Sequence, residues 1–117
     1  MLRGFVQTAR TVMRQSDVFA RVGGEEFAAL LPHTGRDGAR SIAERLRAQV
    51  RAAPVDLGAA GHAAYSVSVG VATSAAPTVP PTLDAEAWLL QLMQTADQLL
   101  YNAKSRGRDQ VVVAPEA

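Results

Sequence analysis

The sequence contains no cysteine, which excludes a disulfide framework and any thiolate metal centre and leaves the compartment open. It carries no excess of charge: twelve Lys and Arg against eleven Asp and Glu give a net +1. No strong field therefore draws the chain to nucleic acid or to an anionic membrane. No apolar run approaches the roughly 18 unbroken residues of a membrane span, and no signal peptide opens the chain. A nucleophile elbow, a Walker loop and a dinucleotide fingerprint are all missing, as are internal repeats. One domain is expected, because 117 residues suffice for a single core and are too few for two, and the expected location is cytoplasmic.

The chain does have clean periodicity. Leu2, Phe5, Val6, Ala9, Val12 and Met13 recur at three- and four-residue steps, which predicts a helix over 2–14. "VFARV" and "EFAALL" flank Gly23-Gly24, the signature of a tight hairpin, because the favoured turns need positive φ. Ala39, Ile42, Ala43, Leu46 and Val50 predict a second helix over 37–52, followed by a turn-rich connection, "APVDLGAAGHAA". "YSVSVGVA" alternates strictly, with Tyr65, Val67, Val69 and Val71 on one face and Ser66, Ser68 and Gly70 on the other. So small a face predicts close approach by a packed element or a ligand. The three prolines of "TSAAPTVPPTL" predict a surface loop over 73–83. Asp84 reads as the N-cap of a third helix reaching about Ala103, Gly107 as its C-cap, and "QVVVA" as a last strand. Helix, strand, strand, helix, strand, helix, strand is an α+β order with a mixed sheet covered by helices.

Several groupings could carry chemistry. Glu25-Glu26 beside the hairpin glycines read either as a solvated turn or as oxygen ligands for a hard cation such as magnesium, which takes one or two carboxylates plus substrate phosphates. Alternation sends the two side chains to opposite faces unless a bulge re-aims one. Lys104 and Arg108, four apart, read either as cations complementing a helix C-terminus or as a phosphate clamp, a point charge beside a fork. Arg14 and Asp17 read either as a local ion pair or as a guanine reader, the arginine donating to O6 and N7. His33 and His62 have no metal-like spacing, and Trp88 and Tyr101 read as packing residues.

Three blocks in order carry a resemblance. "RQSDVFARVGGEEF" resembles the signature of GGDEF domains, the diguanylate cyclases, in the variant with glutamate at the third motif position; "YSVSVGVA" and "ADQLLYNAKSRGRDQV" resemble the family's later strand and C-terminal stretch. The resemblance implies a ferredoxin-like, cyclase-palm fold. It implies an enzyme that condenses two GTP into cyclic di-GMP, releasing two pyrophosphates, across a homodimer in which each domain holds one GTP and two Mg2+ or Mn2+ ions. Glu25 and Glu26 then match the metal and proton-handling acids, Gly23 and Gly24 the turn against the nucleotide, and Lys104 and Arg108 the pair on the terminal phosphates. Arg14, Asp17 and Arg45 match a product-inhibition site for cyclic di-GMP, which also allows a reading as a cyclic di-GMP sensor module.

The resemblance further implies that the chain corresponds to about the C-terminal two thirds of the family's domain. The first helix, the central strand with its metal-ligating aspartate, the guanine-reading asparagine and a "GD" have no counterpart in this sequence. Nor does a strand expected between "EFAALL" and "YSVSVGVA". On that basis the chain alone is expected to turn over little or no GTP and to leave two strand edges unpaired. A sensory or receiver domain is expected N-terminal to it in the parent protein, which could itself be membrane-anchored.

Overall fold

The computed structural model describes residues 2–74 and 84–114, so most of the loop expected at 73–83 lies outside the described residues. The elements run α1 (Leu2–Val12), β1 (Val18–Gly23), β2 (Glu26–Leu30), α2 (Arg36–Ala52), β3 (Val55–Asp56), a 3-10 turn (Gly58–Ala60), β4 (His62–Ala63), β5 (Val69–Val71), α3 (Ala85–Ser105) and β6 (Val111–Val113). Three α-helices and the strands between them give the expected α+β class.

Among the described residues the strands pair as three two-stranded ribbons. β1 and β2 form an antiparallel hairpin, β3 and β4 a second, shorter one, and β5 runs parallel to β6. The connection read as turns alone thus holds a small hairpin, closed around the 3-10 turn by the Asp56 carboxylate accepting from the Gly58 N–H at 2.8 Å. The strand expected over 65–72 is hydrogen-bonded only at 69–71. Side-chain alternation does not make a strand without a ladder partner, and β6 supplies just three residues.

The β5–β6 ribbon lies in contact with both α2 and α3. Gly70 decides which face meets which helix. A Cβ built on it would stand 2.9 Å from the Leu99 carbonyl carbon, and nearer still to the Ala96 carbonyl oxygen and the Leu100 nitrogen. The α3 backbone therefore rests directly on the small-residue face of β5, and a packed helix, not a ligand, accounts for that face. Alternation sends Val69 and Val71 the other way, toward α2.

The core sits between α1 and α2, where Ala9, Val12, Leu46 and Val50 are buried, with Phe5, Met13, Phe19, Ile42, Tyr65 and Val67 packed around them. The hairpin joins this core through three rings. Phe27 lies 4.9 Å from Phe5 and 5.2 Å from Phe19, centroid to centroid, and stacks nearly parallel on the latter. The opposite face of the hairpin leaves Val18, Val22 and Leu30 exposed.

Both ends of α3 follow the residues that mark them. The Asp84 side chain accepts from the Ala87 N–H at 2.7 Å, an N-cap. At the other end Gly107 has φ +114, its N–H directed at the Lys104 carbonyl (3.4 Å), while the Arg108 N–H reaches the Ala103 carbonyl at 2.9 Å. That pair of bonds is a Schellman motif, and it requires the left-handed conformation that glycine adopts at least cost.

Candidate functional site

The tip of the β1–β2 hairpin carries the two acids. Pairing runs regularly from Val18↔Leu30 to Arg21↔Phe27, then slips so that Gly23 faces Glu26, leaving Val22 as the extra residue of a bulge. The turn pair is therefore Gly24-Glu25, one residue later than the two glycines suggest, with Gly24 at φ +49. The Arg21 guanidinium braces it by donating to the Gly24 carbonyl at 2.9 Å. Glu25 projects from the turn and Glu26 begins β2; both are exposed. Alternation puts Glu26 on the face opposite Phe27, so the ring that anchors the hairpin also sets the direction of the acid beside it.

The end of α3 comes to meet that acid. Lys104 Nζ lies 3.8 Å from Glu26 Oε1, an ion pair between residues from separate sequence blocks. Arg108 is not on the same helical face as Lys104, because α3 stops at Ser105. It sits instead beyond the Schellman turn at φ +64, followed by Asp109 at φ +48. Its side chain makes no ion pair among the described residues, and the same holds for Glu25. The Glu26–Lys104 pair thus brings the hairpin tip beside the end of α3; Gly23, Gly24 and Glu25 lie in the adjoining turn, and Arg108 follows in the loop after α3, without an ion pair to Glu26 among the described residues.

Among the described residues no group of three or more Asp, Glu, His or Cys side chains converges on one point. Glu25 and Glu26 are the carboxylates that a hard cation at the hairpin would draw on. Two adjacent exposed carboxylates match the one or two that magnesium takes from protein, the remaining positions going to water and phosphate oxygens.

A second cluster gathers where the α1–β1 turn meets the loop after β2. Asp17 Oδ2 accepts from the Arg14 backbone N–H at 2.8 Å, and Oδ1 from Arg14 Nη2 at 2.9 Å. Nη2 also donates to the Pro32 carbonyl at 3.3 Å and to the Thr34 hydroxyl. The Asp17 side chain is fully covered, while that of Arg14 remains 46% exposed. The carboxylate is thus spent inside the turn, and it holds Arg14 through Nε and Nη2. Arg45 stands exposed on α2 and makes no hydrogen bond or ion pair with Arg14 or Asp17 among the described residues.

The Arg14 hydrogen bond holds the Asp17 carboxyl below the ordinary carboxylate range, more than offsetting the opposing effect of desolvation. A depressed native pKa stabilises the fold above the unfolded-state value and ceases to do so as pH falls through the native value. Asp17→Asn is therefore expected to lower the urea midpoint by a constant amount above about pH 5, and the difference from wild type should begin to shrink only below about pH 4. Parallel curves down to acid pH would show that the pair contributes nothing through its charge.

Sequence reasoning did not single out a third cluster. Asp109 accepts from Arg47 Nη1 and pairs with Arg51 Nε, each at 3.3 Å, and its own N–H donates to Ser68 Oγ at 3.2 Å. Arg47 also binds Glu44 at 3.0 Å. Arg47 and Arg51 stand one helical turn apart, a spacing that marks a shared face but names no partner.

The hairpin acid Glu26 thus meets the basic end of α3 at Lys104, on an α+β frame. The sequence matches the family described as "Diguanylate cyclase, GGDEF domain" over residues 1–110, and the chain belongs to that family. It is 39% identical over 106 residues to the diguanylate cyclase DgcP of Pseudomonas aeruginosa, covering 90% of this chain and 14% of that protein. It is 34% identical over 112 residues to the response regulator PleD of Caulobacter vibrioides, covering 96% of this chain and 23% of that one. Among solved structures it superposes on the diguanylate cyclase SiaD of Pseudomonas aeruginosa, crystallised with its activator SiaC, with a TM-score of 0.80 and 32% identity; 97% of this chain and 40% of SiaD are covered. The chain spans about a quarter or less of the curated relatives it matches.

Proposed function

We propose that this chain is catalytic-domain sequence of a diguanylate cyclase, condensing two GTP into cyclic di-GMP with loss of two pyrophosphates. The observation that carries the reading is the Glu26–Lys104 contact: an acid of the hairpin lies beside a cation at the end of α3, as the site of a metal-bound triphosphate would require. Glu25 and Glu26 would hold Mg2+ or Mn2+, which when bound neutralises charge on the transferring phosphoryl group. Lys104 attracts the terminal phosphates as a point charge and Arg108 grips them as a fork. Gly23 and Gly24 carry no side chains that would keep a nucleotide off the turn. Two such domains face to face let each 3′-hydroxyl attack the other's α-phosphate, so a homodimer is part of the proposal.

Calorimetry with GTP and magnesium tests this in the chain itself, which is expected to bind without measurable turnover. Lys104→Ala should weaken binding about tenfold or more, the loss of one charge-assisted contact, and Glu25→Ala with Glu26→Ala should abolish its dependence on magnesium. GTP binding that ignores all three substitutions would sink the reading.

A second reading draws on Arg14, whose side chain is partly exposed. Its guanidinium, with Arg45, suits a guanine O6/N7 pair, so a cyclic di-GMP site would serve either product inhibition or a sensor module. Asp17 then acts by fixing the Arg14 guanidinium from within. Cyclic di-GMP titration distinguishes this: binding unaffected by Arg14→Ala rules it out.

A further inference from the structure

The loop after α3 holds a run of unusual backbone. Gly107, Arg108 and Asp109 all have positive φ, at +114, +64 and +48. Glycine adopts that conformation freely, but at Arg108 and Asp109 it is costly and persists only where neighbouring structure enforces it. The Schellman bonds hold the Gly107 and Arg108 amides, and Gln110 Nε2 donates to the Arg106 and Arg108 carbonyls at 3.2 Å. None of these bonds reaches Asp109.

Asp109 is where the enforcement enters. Its two carboxylate oxygens are taken separately, Oδ1 by Arg47 and Oδ2 by Arg51, each at 3.3 Å. Both arginines project from α2, a rigid element packed on the core, and Glu44 holds Arg47 from the other side at 3.0 Å. The Asp109 N–H is fixed from the β5 side by Ser68 Oγ. Side chain and main chain of one residue are thus tied to two different elements. The direction of the preceding Arg108 side chain follows from that backbone.

We infer that Asp109 is a positioning residue: clamped between Arg47 and Arg51, it holds the left-handed run 107–109 and so aims Arg108 at the phosphates beside Lys104. The inference rests on the proposed phosphate role of Arg108, and it assigns Arg47 and Arg51 a part in substrate affinity although neither touches the site. Asp109 itself contacts no phosphate. It acts through Arg108.

Two measurements on the 117-residue chain decide it. In hydrogen exchange, Asp109→Ala and the milder Arg51→Ala should speed exchange at the Arg108 and Asp109 amides while leaving the α2 amides protected. Unchanged exchange overturns the clamp, whatever the chain binds. In calorimetry with magnesium and GTP, Asp109→Ala should weaken binding about tenfold, like Arg108→Ala, and the double variant should lose no more than either alone. Asp109→Asn, which tolerates positive φ, should recover part of the loss. Losses that add in the double variant would show an effect on folding alone and overturn the positioning role. A wild-type chain that binds no GTP removes the function proposed above and the aiming of Arg108 with it, and the exchange result then shows separately whether the clamp holds the loop.

Discussion

Gly70→Ala is expected to be the most damaging single-methyl change in the chain, shifting the urea midpoint far enough to leave the domain marginal at room temperature. The added carbon would lie inside contact distance of three backbone atoms of α3, at Ala96, Leu99 and Leu100. No rotamer change relieves a clash with backbone, so α3 must lift away from β5 or the ribbon must bend. Overpacking costs about 1–3 kcal/mol where side chains can yield, and here nothing flexible is available. Against a total stability of about 5–15 kcal/mol, a loss of about 3 kcal/mol or more is severe. The core offers little reserve, since four of the seven buried apolar residues among the described ones are alanines. Gly4→Ala is the control: Gly4 lies within α1 with nothing within 4 Å of the added carbon, so alanine there should stabilise by roughly 0.5–1 kcal/mol through helix propensity. Equal midpoints for Gly70→Ala and wild type would refute the backbone contact that assigns this face of β5 to α3.

The same glycine shows how far the sequence could be read. Alternation in "YSVSVGVA" identified the small face and the need for close approach, yet periodicity cannot say what approaches. Neither could it limit the strand to 69–71, which depends on how many residues β6 presents. Local chemistry was more legible. Asp84 as N-cap, Gly107 in the helix stop and the paired glycines at the hairpin all act within a few residues of themselves. Even there the bulge at Val22 moved the turn to Gly24-Glu25, because register is settled across the pair and not along one strand. The site was legible as two separate blocks, and the Glu26–Lys104 contact joins them. Arg108 was misplaced by helical spacing, since the Schellman turn ends α3 before reaching it. The Asp109 clamp was beyond reach: its arginines are about sixty residues upstream, and only packing of α2 on the β5–β6 ribbon brings them together.

Phe27→Ala is expected to separate the hairpin from the rest of the fold and to weaken GTP binding without removing any group that contacts the nucleotide. Phe27 is the middle ring of three, stacked on Phe19 and tilted against Phe5, and these contacts seat the hairpin on α1. Phe5 and Phe19 are 6.0 Å apart, so they cannot close the gap without moving. Large-to-small substitution of a phenylalanine costs about 3–5 kcal/mol when the ring is fully buried; Phe27 is half-buried, which brings the expectation nearer 2–3 kcal/mol. Because Glu26 precedes Phe27 on the opposite face, loosening the ring also frees the acid from its register with Lys104. Hydrogen exchange should therefore rise across β1 and β2 while α3 and the β5–β6 ribbon stay protected, and magnesium-dependent GTP affinity should fall with it. Phe27→Leu, which refills much of the volume, should restore most of both. If affinity falls while hairpin exchange does not, the ring acts on the nucleotide directly and the seating of the hairpin is not what positions Glu26.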